Sequence, residues 1–183
     1  TIVVFGANGK VGEASVQIGS SVGGRIISVE RNRDDYNGHA SGPVEVINLS
    51  KEADIQSAII DRTNGRGADI IMNTTGSPYF EIGNQCLAKG GRQIIISTFI
   101  EKNEINLRTF YRGNHTLVGV SNMDHDHIVS GGILENLREG FENGTYKPYP
   151  IRSDKIFGLD EVREAYNLVL QDVTRDRVVI NPQ

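Results

Sequence analysis

The chain has 183 residues, a formal net charge of −4, a hydrophobic content of 38% and a single cysteine. This length suits one domain with a full core, alone or with a small appendage. The negative charge argues against a nucleic-acid partner. The sequence has no long apolar run and no leader pattern, which argues against a membrane span or a signal peptide. The lone cysteine excludes an internal disulfide. We therefore expect a cytoplasmic protein, and because Thr1 leads directly into a strand pattern we expect a fragment of a longer one.

Segments with strand and helix character alternate along the chain, separated by glycine clusters. The predicted strands cover residues 2–5, 25–30, 44–49, 68–73, 93–97 and 116–121. The predicted helices cover residues 10–21, 50–63 (with Ser50 as the N-cap), 79–88, 107–112 and 127–143. Residues 32–43 are polar and rich in glycine and aspartate, which indicates a loop with at most one helical turn.

Alternating strands and helices predict a parallel sheet, because parallel neighbours need crossover connections. Six such strands match the doubly wound α/β fold of Rossmann type, with strand order 3-2-1-4-5-6 and helices on both faces. Residues 147–183 follow a different pattern of strand, helix (160–170) and strand (177–180). We therefore predict a dinucleotide-binding domain over residues 1–146 and a C-terminal tail over residues 147–183.

The turn after the first predicted strand, FGANGKVG, has glycines at GxxGxxG spacing. Gly9 would let the pyrophosphate of a dinucleotide approach the main chain, and Gly12 would let the helix pack on the strand. The free N–H groups of the helix N-terminus would then face the anion. A P-loop is excluded because Lys10 is followed by Val11 rather than Ser or Thr. The predicted pyrophosphate-site residues are Gly6, Ala7, Asn8, Gly9, Lys10, Val11 and Gly12.

An acidic residue, Glu30, ends the second predicted strand, 18 positions after Gly12. A carboxylate at this place accepts hydrogen bonds from the adenosine ribose hydroxyls, and it would repel a 2′-phosphate. This favours NAD over NADP. Arg31 and Arg33 follow at once and leave NADP open, since either guanidinium is able to pair with such a phosphate.

The succession GANGKVG, IISVERN, GRGADIIMNTTG, CLAKGGRQIIIS and YRGNHTLVGVS resembles the cofactor-binding domain of the medium-chain dehydrogenases/reductases, in their quinone oxidoreductase-like, zinc-binding dehydrogenase branch. The ending FGLDEVREAYNLVLQDVTRDRVVINP is similar to that family's carboxyl terminus, so the resemblance covers essentially the whole chain. It implies a parent with an amino-terminal GroES-like catalytic domain, to which nothing here corresponds. The tail would return to that domain, which would also hold any zinc ligands.

The resemblance also implies cofactor contacts after the later strands. Thr74 and Thr75 would line the ribose side of the site, and Arg31 would accompany Glu30 at the adenosine ribose. The residues expected near the nicotinamide are Ser97, Thr98, Val120 and Ser121. One departure concerns the segment DDYNGHASGPVE, which is too short for the helix that follows the second strand in the family, so the outer wall of the adenine pocket and the role of Arg33 stay open.

The resemblance implies a parent oxidoreductase that transfers hydride between NAD or NADP and an alcohol, aldehyde or quinone-type substrate. We predict no general acid or base in this chain, and little or no turnover by the chain alone. Two alternatives stay open: a nucleotide-sensing domain without catalysis, and a Rossmann domain that has lost its nucleotide. The absence of a Tyr-x-x-x-Lys pair argues against a short-chain dehydrogenase.

The sixth predicted strand, from Thr116 to Ser121, is expected at the edge of the sheet. Because an apolar edge strand invites pairing, and because family members commonly dimerise there, we predict a homodimer.

Two other features suggest chemistry but have simpler interpretations. In MDHDH, His125 and His127 would point to different faces of a helix, and aspartate suits a helix start, so we predict no metal site there. Cys86 is predicted to be a small buried hydrophobe rather than a nucleophile.

Overall fold

The computed structural model describes residues 1–123, 125–171 and 177–182. Contacts divide the chain into two compact units, Thr1–Tyr146 and Lys147–Gln183. Within the described ranges, no helix is both long and apolar enough to cross a membrane.

The first unit contains a six-stranded parallel sheet with the strand order β3-β2-β1-β4-β5-β6, which confirms the predicted topology. The strands are β1 (Ile2–Phe5), β2 (Ile26–Glu30), β3 (Val44–Asn48), β4 (Ala68–Asn73), β5 (Leu87–Ile95) and β6 (Thr116–Gly119). The helices are α1 (Lys10–Ser21), α2 (Ile55–Arg62), α3 (Phe80–Gln85), α4 (Leu107–Gly113) and α5 (His127–Glu142), with a 3₁₀ turn at Ser77–Tyr79.

The sheet is buried on both faces, as its β-branched strands predict. Because side chains alternate along a strand, Val3 and Phe5 point to one face and Val4 to the other. On the first face they join a cluster with Ile59 of α2. On the second face Val4 packs with Val16 of α1. Helices therefore cover both faces.

Two predicted helices have different bounds in the structure. α2 begins at Ile55 rather than after Ser50, because the carboxylate of Asp54 accepts hydrogen bonds from Ser57 N and Oγ at 2.9 and 2.7 Å. The Ser50 hydroxyl instead donates to Asn48 Oδ1 at 2.7 Å, within a turn. The prediction of Ser50 as the N-cap was wrong. α3 ends at Gln85, three residues early.

The predicted bounds of two strands also shift. The fifth strand was expected at 93–97, but in the structure it runs from Leu87 to Ile95. Leu87 pairs with Ala68, and a bulge follows this pair. Ser97 therefore lies beyond the strand. β6 ends at Gly119, so Val120 and Ser121 follow the strand rather than belong to it.

The connection between β2 and β3 contains no helix, as predicted. Residues 34–41, which we call the strap, lie against α1 instead. His39 N donates to Glu13 Oε1 at 3.3 Å, and Ser41 N donates to Ser20 Oγ at 3.0 Å. The His39 Nε2 atom lies 3.0 Å from the carbonyl oxygen of Thr145. α1 therefore packs on the sheet with an apolar face and holds the strap with polar side chains.

The second unit has its own small sheet, in which β7 (Ile156–Phe157) pairs in parallel with β8 (Val179–Ile180). Between them lies α6 (Val162–Leu170), preceded by a 3₁₀ turn at Leu159–Glu161. Phe157 and Ala165 are the buried apolar residues of this unit among those described. The predicted strand–helix–strand order of this segment is what the structure has, although the helix begins at Val162 rather than at residue 160 and the last strand begins at Val179 rather than at residue 177.

Candidate functional site

Four strands of the sheet end in one row. Their register places Phe5 beside Asn73, Asn73 beside Ile95, and Ile95 beside Gly119. Because all strands run parallel, the turns that follow them meet at the same edge, where open α/β sheets bind ligands. Every predicted site residue lies in or beside one of these turns, or at the neighbouring end of β2.

The glycine turn between β1 and α1 is tightly closed. Gly6 has φ +75°, a conformation that favours glycine. A Cβ on Gly12 would overlap the carbonyl oxygen of Gly6 and would lie 2.7 Å from Ala7 Cα. Gly9 N donates to Gly6 O at 3.0 Å. The first turn of α1 therefore lies directly on the end of β1, and only glycine fits at position 12.

The start of α1 has no side-chain cap, unlike the starts of α2, α4 and α5. Asp54, Asn106 and Asp126 cap α2, α4 and α5, each accepting backbone N–H groups through its side chain. The N-cap of α1 is Gly9, which has no side chain to do this. The first-turn N–H groups without a side-chain acceptor belong to Lys10, Val11 and Gly12. Such a terminus carries a partial positive charge and is suited to an anion.

Glu30 ends β2 beside this turn and is only 7% exposed. Its Oε1 atom accepts two hydrogen bonds, from Asn8 N and from Ser28 Oγ, both at 2.9 Å. In the part of the chain that the structure describes, no donor bonds its second oxygen, Oε2. The carboxylate is thus held by one oxygen at the glycine turn. Glu30 was predicted from the sequence, whereas Ser28 was not, although the alternation of β2 places it on the same side of the strand.

The Asn8 side chain joins the glycine turn to the strap. Its Oδ1 accepts Asn37 N at 3.1 Å, and its Nδ2 lies 3.4 Å from the carbonyl oxygen of Asp35. Nearby, Asp34 accepts hydrogen bonds from Lys51 at 2.6 Å and from Asn48 at 2.8 Å. Lys51, and secondarily Asn48, lower the pKa of Asp34 below its usual value. The side chains of Lys10, Arg31 and Arg33 are exposed.

The turn after β4 is organised by Asn73, which is fully buried. Its Oδ1 accepts the backbone N–H groups of Thr75 and Gly76, and its Nδ2 donates to the Gly76 carbonyl oxygen. Thr74 Oγ1 donates to Phe5 O at 2.6 Å, which ties this turn to the end of β1. Thr74 and Thr75 were predicted site residues, whereas Asn73 was not. An asparagine at a strand end followed by TTG is a turn signal that points to it.

The turns after β4 and β5 are packed together. A Cβ on Gly76 would lie 2.7 Å from Thr98 Cα, and the hydroxyls of Ser77 and Thr98 are 2.5 Å apart. Ser97 and Thr98 are exposed at this edge, as are Val120 and Ser121 beyond β6. Val120 N continues the ladder by donating to Ile95 O at 2.9 Å. The structure therefore links the glycine turn, Thr74 and Thr98 in one chain of contacts.

Asp126 of the MDHDH segment and Cys86 both have structural roles. Asp126 is the N-cap of α5 and accepts hydrogen bonds from Ile128 N and Val129 N at 2.9 and 2.8 Å, as expected of aspartate at a helix start. Asp124 lies outside the described residues. Cys86 is fully buried, and burial raises the pKa of its thiol to about 12. It is the small buried residue that the sequence predicted.

The sequence matches the family model for zinc-binding dehydrogenases over residues 11–134. The chain belongs to the zinc-binding dehydrogenase family. It is 30% identical over 187 residues to a quinone oxidoreductase-like protein 2 homolog of Nematostella vectensis. That match covers 99% of this chain and 50% of the relative, so the chain spans about half of that relative's length. The resemblance drawn from the sequence motifs is confirmed.

Two solved structures show the same fold. The Escherichia coli quinone oxidoreductase complexed with NADPH matches with a TM-score of 0.77 and 16% identity, covering 99% of this chain and 56% of that one. An NAD-dependent alcohol dehydrogenase matches with a TM-score of 0.77 and 21% identity, covering 100% of this chain and 51% of that one. At these identities the likeness shows that this zinc-binding dehydrogenase chain has their Rossmann-type fold.

Proposed function

We propose that this chain is the NAD(P)-binding domain of an oxidoreductase that transfers hydride between a nicotinamide dinucleotide and an alcohol, aldehyde or quinone-type substrate. The observation that carries the proposal is the hydrogen bond from Asn8 N to Glu30 Oε1 at 2.9 Å. It holds the Glu30 carboxylate, the group that we propose binds the ribose, directly beside a helix N-terminus that lacks a side-chain cap.

The residues present fit the two ends of such a cofactor. The first-turn N–H groups of α1 would bind the pyrophosphate, and Oε2 of Glu30 would accept hydrogen bonds from the adenosine ribose. Thr74 and Thr75 would line the second ribose, and the exposed segments after β5 and β6 would face the nicotinamide. The bound nicotinamide supplies the hydride, while the chain binds and orients it.

Similar proteins support the reaction class. The relative from Nematostella vectensis is named for quinone oxidoreductase, and one structural neighbour was solved with NADPH while another is called NAD-dependent. These names support a hydride transfer as the parent reaction, and we expect the choice between the two cofactors to depend on the residues of this chain. We propose a preference for NAD, because a 2′-phosphate at the ribose would meet the buried Glu30 carboxylate.

Titration of the chain with NADH and with NADPH, followed by nucleotide fluorescence, tests both proposals. We expect saturable binding of both nucleotides, with the tighter binding for NADH. E30A should weaken NADH binding about tenfold or more, since a hydrogen bond to a charged group contributes about 1.5–3 kcal/mol. The R66A variant is the control: Arg66 is an exposed arginine that pairs with Asp69 and precedes β4, at the opposite end of that strand from the site, so its loss should leave NADH binding within about twofold. Lack of saturable binding by either nucleotide would overturn the function, and tighter NADPH binding would overturn only the preference.

The chain matches about half of the Nematostella vectensis relative, and we expect the catalytic domain in the half that this chain does not match. We propose that the second unit returns to that half in the parent protein, using the exposed apolar side chains of α6 at Tyr166, Val169 and Leu170. The chain by itself is then a binding domain. Turnover of quinones or aldehydes by this chain alone with NADH or NADPH would contradict this assignment.

We also propose a homodimer through β6. This strand is at the edge of the sheet, and Leu117 and Val120 beside it are 41% and 48% exposed. Pairing two such edges would bury both residues and complete the hydrogen bonding of the outer backbone groups. Analytical ultracentrifugation at micromolar concentration should give the mass of a dimer, and L117E should give the mass of a monomer. A monomer mass for the unmodified chain would contradict the proposal.

A further inference from the structure

We propose that Asn8 is a positioning residue for the adenosine ribose, which holds Glu30 and the strap in place around that sugar. The inference rests on the proposed dinucleotide function. It goes further by assigning to one side chain a role that the glycine pattern does not give it, since that pattern leaves position 8 unspecified.

Three hydrogen bonds of Asn8 join three separate segments. Its backbone N–H donates to Glu30 at the end of β2, and its side chain bonds Asp35 and Asn37 in the strap. Asn8 itself belongs to the glycine turn and is 9% exposed. A side chain that is nearly buried and bonded through both its oxygen and its nitrogen has a fixed orientation.

The strap reaches the same edge from its other side. Glu30 is the register partner of Asn48 in β3, and the Asn48 amide donates to Asp34. The contacts therefore run from Glu30 through Asn8 to the strap. They return from Asp34 of the strap to Asn48, which is the residue beside Glu30 in the sheet. This closed circuit includes Glu30, the residue that would bind the ribose.

The circuit predicts an effect specific to the ribose. With Oε1 of Glu30 held by Asn8 and Ser28, Oε2 is the oxygen that is left for the sugar hydroxyls. If the Asn8 side chain is removed, the backbone bond to Glu30 remains but the strap loses its anchor at this end, so the strap is less fixed beside Glu30. A 2′-phosphorylated sugar, which does not gain from the bond to Glu30, should lose less.

The test compares N8A with S20A by titration calorimetry, using ADP-ribose and 2′-phospho-ADP-ribose as probes. Ser20 also anchors the strap, through Ser41 N, but it lies near the far end of α1. We expect N8A to raise the Kd of ADP-ribose about fivefold and that of the 2′-phosphorylated probe less than twofold, and S20A to change neither by more than about twofold. Melting temperatures of both variants report any general loss of stability.

Equal weakening of both probes in N8A, or an unchanged Kd for ADP-ribose, would overturn the positioning role. Equal weakening of ADP-ribose binding in S20A would show that the strap acts as a whole and would also overturn the assignment to Asn8. Failure of the unmodified chain to bind either probe would overturn the dinucleotide function itself, and this outcome is separate because it does not depend on any variant.

Discussion

Asn73 holds Gly76 at both of its backbone groups: Oδ1 accepts the Gly76 N–H and Nδ2 donates to the Gly76 carbonyl oxygen, each at 2.8 Å. Gly76 has φ +79° and leaves no room for a Cβ against Thr98. The turn that presents Thr74 and Thr75 therefore has one conformation, fixed by a side chain that is itself fully buried.

The N73D variant should lower the free energy of unfolding by about 2 kcal/mol, because an ionised carboxylate replaces the Nδ2 donor and lies buried against the Gly76 carbonyl oxygen, which keeps only the longer bond from Tyr79 N at 3.2 Å among the described residues. Urea unfolding measures the change. N106D is the matched control, since Asn106 caps α4 through Oδ1 alone, where aspartate is equally good. Equal losses in the two variants would show that the donor of Asn73 does not matter.

The N84L variant should gain about 1 kcal/mol of stability. Asn84 lies on α3, is 9% exposed, and neither polar atom of its amide bonds any of the described residues. Leucine has a similar size, favours helix and removes the cost of burying an unpaired amide. A loss of more than about 1 kcal/mol in urea unfolding would indicate that the amide has a bound water or another partner.

The G12A variant should lose at least about 2 kcal/mol and should no longer bind NADH, because the added methyl overlaps the Gly6 carbonyl oxygen and forces α1 off the turn. G132A makes the same change in α5, where a Cβ would meet nothing within 4 Å. That variant should gain about 0.5–1 kcal/mol, since alanine favours helix. Thermal unfolding and NADH titration of the pair separate the helix effect from the packing effect.

Cys86 should make stability depend on alkaline pH. Burial, and to a lesser extent the charge of Asp54, raise the pKa of its thiol to about 12 in the folded state, whereas an unfolded thiol ionises near pH 8.5. The stability that the neutral buried thiol provides is therefore complete below about pH 8.5 and is lost as the pH rises toward 12. Urea unfolding between pH 7 and pH 10.5 should show a steeper fall for the unmodified chain than for C86A. Parallel curves would contradict the prediction.

The sequence predicted the order of the sheet because the apolar runs of its strands are separated by clear turn residues. Element ends were harder to predict. Ser50 and Asp54 are both good N-caps by residue type, and only the bond from Ser57 N to Asp54 decides between them. Likewise, the glycines in LAKGGRQII suggest a turn, yet Leu87 pairs with Ala68 and a bulge absorbs the irregularity.

The candidate site was predictable where a backbone pattern marks it and hidden where side chains meet across the chain. The glycines and Glu30 occupy positions that follow from spacing. Asn8 and Asn37 are 29 residues apart, and no local pattern indicates that their groups meet. Asn73 lies between these cases, since its turn signal is local but its burial depends on the neighbouring strands.

The strap has a consequence for how this chain can diverge from its relatives. α1 presents Glu13 and Ser20 to strap backbone groups, and both side chains are buried there. An insertion that restored an amphipathic helix between β2 and β3 would press apolar side chains onto that carboxylate and hydroxyl. The length of the β2–β3 connection and the identities of residues 13 and 20 should therefore change together in homologous sequences, so that a longer connection is accompanied by apolar residues at both positions.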